Sequence, residues 1–188
     1  MNGEGSLPPG DAVGLDGTWL PETAARALLS LVVAAEAGAG GEIPVGALLT
    51  DVVGRPLAAC GNDCVTASDP LGHAELRTVR LAARRVGNYR LGDTALHATL
   101  EPCPICRAAL VEARVARVTH DAPRVADLPE ARVATGFRAA PSAEERSDHV
   151  LAEASAGMLR FFFKERRTTL KPDRESALIM NSMISAER

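Results

Sequence analysis

The chain has 188 residues, 46% of them apolar and 24% charged, with a formal net charge of −3; this is the size and balance of one globular domain with a full core. A pI near 5.8 excludes the broadly basic face by which many nucleic-acid binders are recognised, while leaving room for a local basic patch. No apolar run approaches the roughly 18 residues of a membrane span, and Met1 to Gly17 has neither the basic nor the apolar region of a secretory signal.

Residues 1–17, rich in Gly, Pro and Asp, read as a flexible leader. Thr18 as a cap, Pro21 in a first turn and Glu22 at the positive end of the dipole predict a helix from Pro21 to Ala37, ended by Gly38, Gly40 and Gly41. Leu28, Leu29, Leu31, Val32 and Val33 supply its apolar face. Pro44 to Thr50 is a short apolar run that reads as a buried strand, and Leu57 to Cys60 returns from a hairpin-type connection. After a turn-rich segment from Gly61 to Gly72, a second helix is expected to Arg85, with Leu76, Val79, Leu81 and Ala83 inward. Thr94 to Leu100 alternates as a strand does. Pro102 is expected to open a third helix with Ala108, Leu110 and Val111 inward, and Val115 to Thr119 reads as a strand. Prolines and a glycine punctuate 121–145, where a strand is expected near Ala131 to Thr135. A last helix, Asp148 to Arg167, is expected to bury Val150, Leu151, Met158, Leu159 and Phe162. Residues 18–168 thus read as one α/β domain, followed by a polar tail over 169–188.

Two stretches carry the chemistry: His73-Ala74-Glu75 and Pro102-Cys103-Pro104-Ile105-Cys106. One imidazole and two thiolates suit zinc, and three protein ligands leave a fourth position for water, whose pKa the metal lowers toward neutrality. Cys-x-x-Cys spans one helical turn, so both sulfurs reach one ion, and a helix N-terminus favours their thiolates. Glu75, at the first turn of its helix, is placed to move a proton over the open position. Other readings of the same residues are a Cys103–Cys106 redox pair, or a four-thiolate zinc site completed by Cys60 and Cys64. Neither uses His73. Four cysteines without a disulfide framework fit a reducing, cytoplasmic setting.

H-x-E…P-C-x-x-C is the recognised signature of zinc nucleobase deaminases, and the resemblance extends further. Glu42-Ile43-Pro44-Val45-Gly46-Ala47, Asn62 eleven residues before His73, Asp69-Pro70, Asn88-Tyr89-Arg90-Leu91, Thr99-Leu100-Glu101-Pro102-Cys103 and the terminal Phe162-Phe163-Lys164-Glu165-Arg166-Arg167 resemble the bacterial tRNA-specific adenosine deaminases of the cytidine deaminase-like superfamily. The resemblance implies a three-layer α/β/α sandwich with a central mixed sheet and a homodimer. It implies one Zn2+ per chain, with a bound water or hydroxide, held by His73, Cys103 and Cys106. It also implies that Glu75 shuttles protons, that Asn62 and the backbone of Ala74 contact the nucleoside, that Val45 lines the pocket, and that Phe162 or Phe163 packs beside the substrate. The zinc site is expected where two helices present their N-termini.

The substrate-side stretch departs from the family. His120 replaces an aromatic residue, Arg124 stands where an aspartate is expected, and the small, glycine-rich part is missing from Thr119 to Ala126. Arg160, Lys164, Arg166 and Arg167 form one basic cluster, and Arg77, Arg80 and Arg84 recur at helical spacing; either set is suited to phosphates or to a solvated face. Three functions stay open: deamination of adenosine in tRNA, deamination of a free base, nucleoside or related heterocycle, and a non-catalytic subunit or RNA-binding module that keeps zinc for folding. Glu75 argues against the last, because a structural site has no use for a proton shuttle.

Overall fold

The computed structural model describes residues 12–13, 19–20, 22–124, 143–146 and 151–169. A two-stranded ribbon (β1, Ala12–Val13; β2, Trp19–Leu20) precedes helix α1 (Glu22–Ala39). Then follow β3 (Gly46–Thr50), β4 (Pro56–Gly61), α2 (Ala74–Val86), β5 (Ala95–Leu100), α3 (Pro104–Glu112), β6 (Arg117–Ala122), β7 (Ala143–Arg146) and α4 (Leu151–Thr169). The main sheet has the order β4-β3-β5-β6-β7. β3 is antiparallel to both β4 and β5, whereas β5, β6 and β7 run parallel. The sheet is mixed, as expected, and no described helix is long and apolar enough to cross a membrane.

β3 is buried at all five positions because it has a partner on each side and helices over both faces. Its face toward α1 begins with Gly46, and the neighbouring strand presents Gly61 to the same helix. A Cβ on Gly46 would lie 2.1 Å from the Ser30 carbonyl oxygen, and one on Gly61 2.5 Å from that of Val33. Ala47, Leu49, Ala58, Leu96, Ala98 and Val118 instead join Ala74 and Ala82 of α2 and Leu110 of α3 in the main core.

This close approach corrects the expected face of α1. Its buried positions are Ala27, Ser30, Leu31 and Ala34, while Leu28, Leu29 and Val32 remain nearly half exposed. The helix backbone lies against two glycines, so small side chains occupy the contact and larger ones are turned to its flanks. The same holds in part for α2: Ala74, Glu75, Thr78 and Ala82 are buried, whereas Val79, Leu81 and Ala83 pack at the margin of the core.

α4 packs against α1, β5 and β6. Its seat is polar. His97 Nδ1 lies 2.9 Å from Thr119 Oγ1 and its Nε2 lies 3.2 Å from Asp121 Oδ1; Ser155 of α4 donates to Asp121 Oδ2 at 2.6 Å. His97, Asp121 and Ser155 are all buried, and such a string is stable only when its members satisfy one another. Asp121 belongs to β6, which runs three residues beyond the expected end at Thr119. β7 was not anticipated; the strand expected at Ala131 to Thr135 and the burial expected of Val150 lie outside the described residues.

Gly46→Ala should destabilise the fold by about 1–3 kcal/mol or more, because the new methyl group meets backbone that has no room to yield. Gly92→Ala, where a Cβ meets nothing within 4 Å, serves as control. Urea unfolding midpoints decide the matter, and equal midpoints would refute the close α1–sheet contact.

Candidate metal centre and active site

The sheet directions bring the two chemical motifs to one edge. Gly46 opens β3 opposite Gly61 at the end of β4, and β5 and β6 also end on that side. The chain leaving β4 reaches α2 through Asn62 to His73, and the chain leaving β5 enters α3 through Glu101 to Cys103. Open α/β sheets bind ligands at such carboxyl ends of strands.

His73 is the N-cap of α2, with extended backbone (φ −66°, ψ 142°) and no capping bond from its side chain. Asn62 does that work from outside the helix: its Oδ1 accepts the Ala74 N–H at 2.9 Å. The His73 imidazole is thereby free to turn toward α3. Cys103 is the N-cap of α3, and Pro104 is the first helical residue. The helix therefore starts two residues later than expected from Pro102. A residue preceding proline is driven out of the α region, so Pro104 forces Cys103 into extended backbone (φ −71°, ψ 166°).

These turns place His73 Nδ1 3.5 Å from Cys103 Sγ and 3.3 Å from Cys106 Sγ, with the two sulfurs 3.5 Å apart. A tetrahedral zinc with bonds of about 2.3 Å to sulfur and 2.0–2.1 Å to nitrogen spaces its ligand atoms roughly 3.5–3.8 Å apart. The donor set therefore fits zinc with adjustments of a few tenths of an ångström, and it is His73 Nδ1 that faces the sulfurs. Among the described residues this is the group of side chains close enough to hold a metal; Cys60 and Cys64, half-buried free thiols, do not join it. The four-thiolate reading is thereby set aside.

Glu75, in the first turn of α2, is 4% exposed. Burial, reinforced by the charge at Cys103, raises its carboxyl above the usual range, the condition that lets a carboxyl take and give protons near neutrality. The sulfurs share a proton: hydrogen bonding from Cys106 is the main influence holding the Cys103 thiol at about 5, while the same bond and burial push Cys106 up.

Two further carboxylates, whose roles sequence reasoning missed, brace the walls. Glu42 accepts the N–H groups of Cys64 (3.1 Å) and Thr66 (2.6 Å). Glu101 accepts the Arg124 N–H (3.0 Å) and the Arg107 guanidinium (2.6 Å), tying the end of β6 to α3 behind Cys103. Arg77 bonds the Gly61 carbonyl and pairs with Asp63 at 3.3 Å, so it braces the Asn62 loop and is not displayed for phosphates. Val45 is buried, and its carbonyl accepts the Asn62 N–H at 3.0 Å. The Ala74 N–H is engaged by Asn62. Phe162 and Phe163 lie on α4, edge-to-face with ring centroids 5.4 Å apart, and Arg166 covers Phe162; α4 packs on α1, β5 and β6.

Residues 22–121, more than half of the chain, match the cytidine and deoxycytidylate deaminase zinc-binding region. The tRNA-specific adenosine deaminase of Agrobacterium fabrum is 38% identical over 144 residues, spanning 74% of this chain and 92% of that one. A solved structure from work on A-to-I editing by tRNA:A34 deaminases is similar with a TM-score of 0.60 and 30% identity, over 67% of this chain and 99% of that chain. Guanine deaminase from Bacillus subtilis is similar at TM-score 0.50 and 32% identity, over 53% and 64% respectively. This chain belongs to the cytidine and deoxycytidylate deaminase family of zinc-dependent enzymes.

In the metal-free protein, iodoacetamide should alkylate Cys103 well before Cys106, with half-maximal reactivity near pH 5 and the reactive thiolate present above it. Added zinc should suppress the reaction. Peptide mapping by mass spectrometry reads both; equal labelling of the two cysteines at pH 7 would contradict the shared proton.

Proposed function

We propose that the protein converts adenosine to inosine in tRNA by hydrolytic deamination, with water adding to the purine carbon that bears the amine and ammonia leaving. The observation that carries this reading is the tetrahedral spacing of His73 Nδ1, Cys103 Sγ and Cys106 Sγ beside a buried, easily protonated Glu75. When bound, zinc supplies the Lewis acidity that makes water nucleophilic at neutral pH. Glu75 takes one proton from the adding water and delivers it to the ring nitrogen, then carries the second proton, from the hydroxyl now on the carbon, to the amine, which leaves as ammonia as the C=O forms. Asn62, whose carbonyl oxygen is spent on Ala74, offers its amide N–H groups to the nucleoside. Val45 backs the pocket, and Phe162 or Phe163 packs beside a larger substrate. The base enters from an exposed anticodon loop, where no duplex has to be melted.

The relative from Agrobacterium fabrum supports tRNA as the substrate through its high identity over nearly its whole length. Homodimerisation, a cytoplasmic setting and a functional domain spanning 18–168 belong to the same reading. A second reading, deamination of a free base or nucleoside, draws on the likeness to guanine deaminase. The altered stretch after Val118 favours it less than its sequence implies. His120, one of those departures, is buried, and its neighbour Asp121 is spent on His97 and Ser155, so this part of the stretch serves packing.

A panel scoring ammonia release from tRNA, nucleosides and free bases should give inosine in tRNA as the main product. Glu75→Ala should lower the rate about 10²- to 10⁴-fold with one zinc per chain retained. Turnover of free bases with no effect on tRNA would transfer the assignment to the second reading, and full activity in Glu75→Ala would overturn the mechanism.

A further inference from the structure

We propose that Glu42 is a positioning residue for the deamination reaction, acting through the 62–72 loop on Asn62; this rests on the role given to Asn62 above. Glu42 lies just before β3, at the sheet edge where the active site forms, and is buried. Its Oε2 accepts the Cys64 N–H at 3.1 Å and its Oε1 the Thr66 N–H at 2.6 Å. The Val65 N–H and the Thr66 hydroxyl also favour its charged form. Burial opposes the charge, but these donors outweigh it and hold the carboxyl below its usual range. Successive backbone N–H groups converging on one anion form a nest, here closed around a carboxylate of the protein itself.

The loop is otherwise bonded mainly to itself. Asp63 N–H meets the Gly72 carbonyl at 2.8 Å, Asp69 N–H that of Cys64 at 3.0 Å, and Gly72 N–H that of Asp69 at 3.0 Å. Asp63 and Gly72 are so close that a Cβ on Gly72 would lie 2.7 Å from the Asp63 oxygen. Such a loop moves as a unit, with Asn62 at one end and His73 directly after the other. Among the described hydrogen bonds, those of Glu42 are the ones that attach Cys64 to Leu71 to the body of the protein. Without them Asn62 is held only through its own links to Val45 and Ala74 and through Arg77 on its neighbours. Glu42 thus sets the direction from which Asn62 meets the substrate, while His73 stays fixed by α2.

The test combines Glu42→Gln, Asn62→Ala and the double variant, assayed on whichever substrate the wild type turns over in the panel above. Glu42→Gln should lower kcat/KM about tenfold or more, mostly through KM, with zinc content unchanged. The double variant should be no worse than Asn62→Ala within about twofold, because residues acting through one another are non-additive. Multiplicative losses, or an unaffected Glu42→Gln, overturn the proposal. Amide exchange gives a second readout that needs no substrate: Cys64, Thr66 and Ala74 should exchange faster in Glu42→Gln while β5 is unchanged, and a protected Ala74 also overturns it. A wild type inert toward the whole panel would sink the proposed function, leaving amide exchange to decide the role of Glu42. Should Glu42→Gln fail to fold, Thr66→Val, which removes one donor, should give a smaller loss with the same non-additivity; additive losses there count against the proposal equally.

Discussion

The constraint on which the site depends is that two helices begin side by side at the carboxyl edge of one sheet. Cys103 and Cys106 lie within one turn, so α3 brings both sulfurs together by local geometry alone. His73 comes from a different helix, thirty residues earlier, and its ring reaches them only because α2 starts beside α3. Three polar atoms at such spacing need something between them. The donor set suits zinc.

The edge is stiffened by groups that substrate does not have to touch. Asn62 caps α2 in place of His73, which keeps the imidazole available as a ligand. Glu42 accepts two backbone N–H groups and Glu101 one, with the Arg107 guanidinium beside it, and these donors hold both carboxyls below the usual range despite the opposing effect of burial. A carboxylate that accepts several N–H groups is a firm anchor because its bonds are charge-assisted. Glu75 is the contrasting case: as buried as Glu42 but without its set of loop donors, it has a carboxyl raised above the usual range by burial and by the charge at Cys103. Environment sets residues of one chemical type to opposite protonation tendencies.

The stretch from Thr119 to Arg124 has two functions in the folded chain. Asp121 faces His97 and Ser155 and seats α4 on the sheet, whereas the backbone of Arg124 bonds Glu101 near Cys103. Asp121 therefore has its counterpart in the core at His97.

By itself the sequence pointed to the reaction class, to a histidine and two cysteines that meet closely enough to hold a metal, and to the order of most elements. Ligand identity, Cys-x-x-Cys spacing and hydrophobic periodicity are local properties, legible without knowing what the chain packs against. Only the tertiary structure decided which face of α1 is buried, where α3 starts, how Asp121 is satisfied, and that Glu42 and Glu101 anchor segments beside the site. Leu28, Leu29 and Val32 look like core until two glycines from other strands draw the helix backbone inward, so that Ala27, Ser30, Leu31 and Ala34 are buried instead. Asp121 looks like a loop residue until His97 and Ser155, distant in the chain, close around it. Close approach and the pairing of buried charge are set by which remote residues meet, and that is decided only when the chain folds.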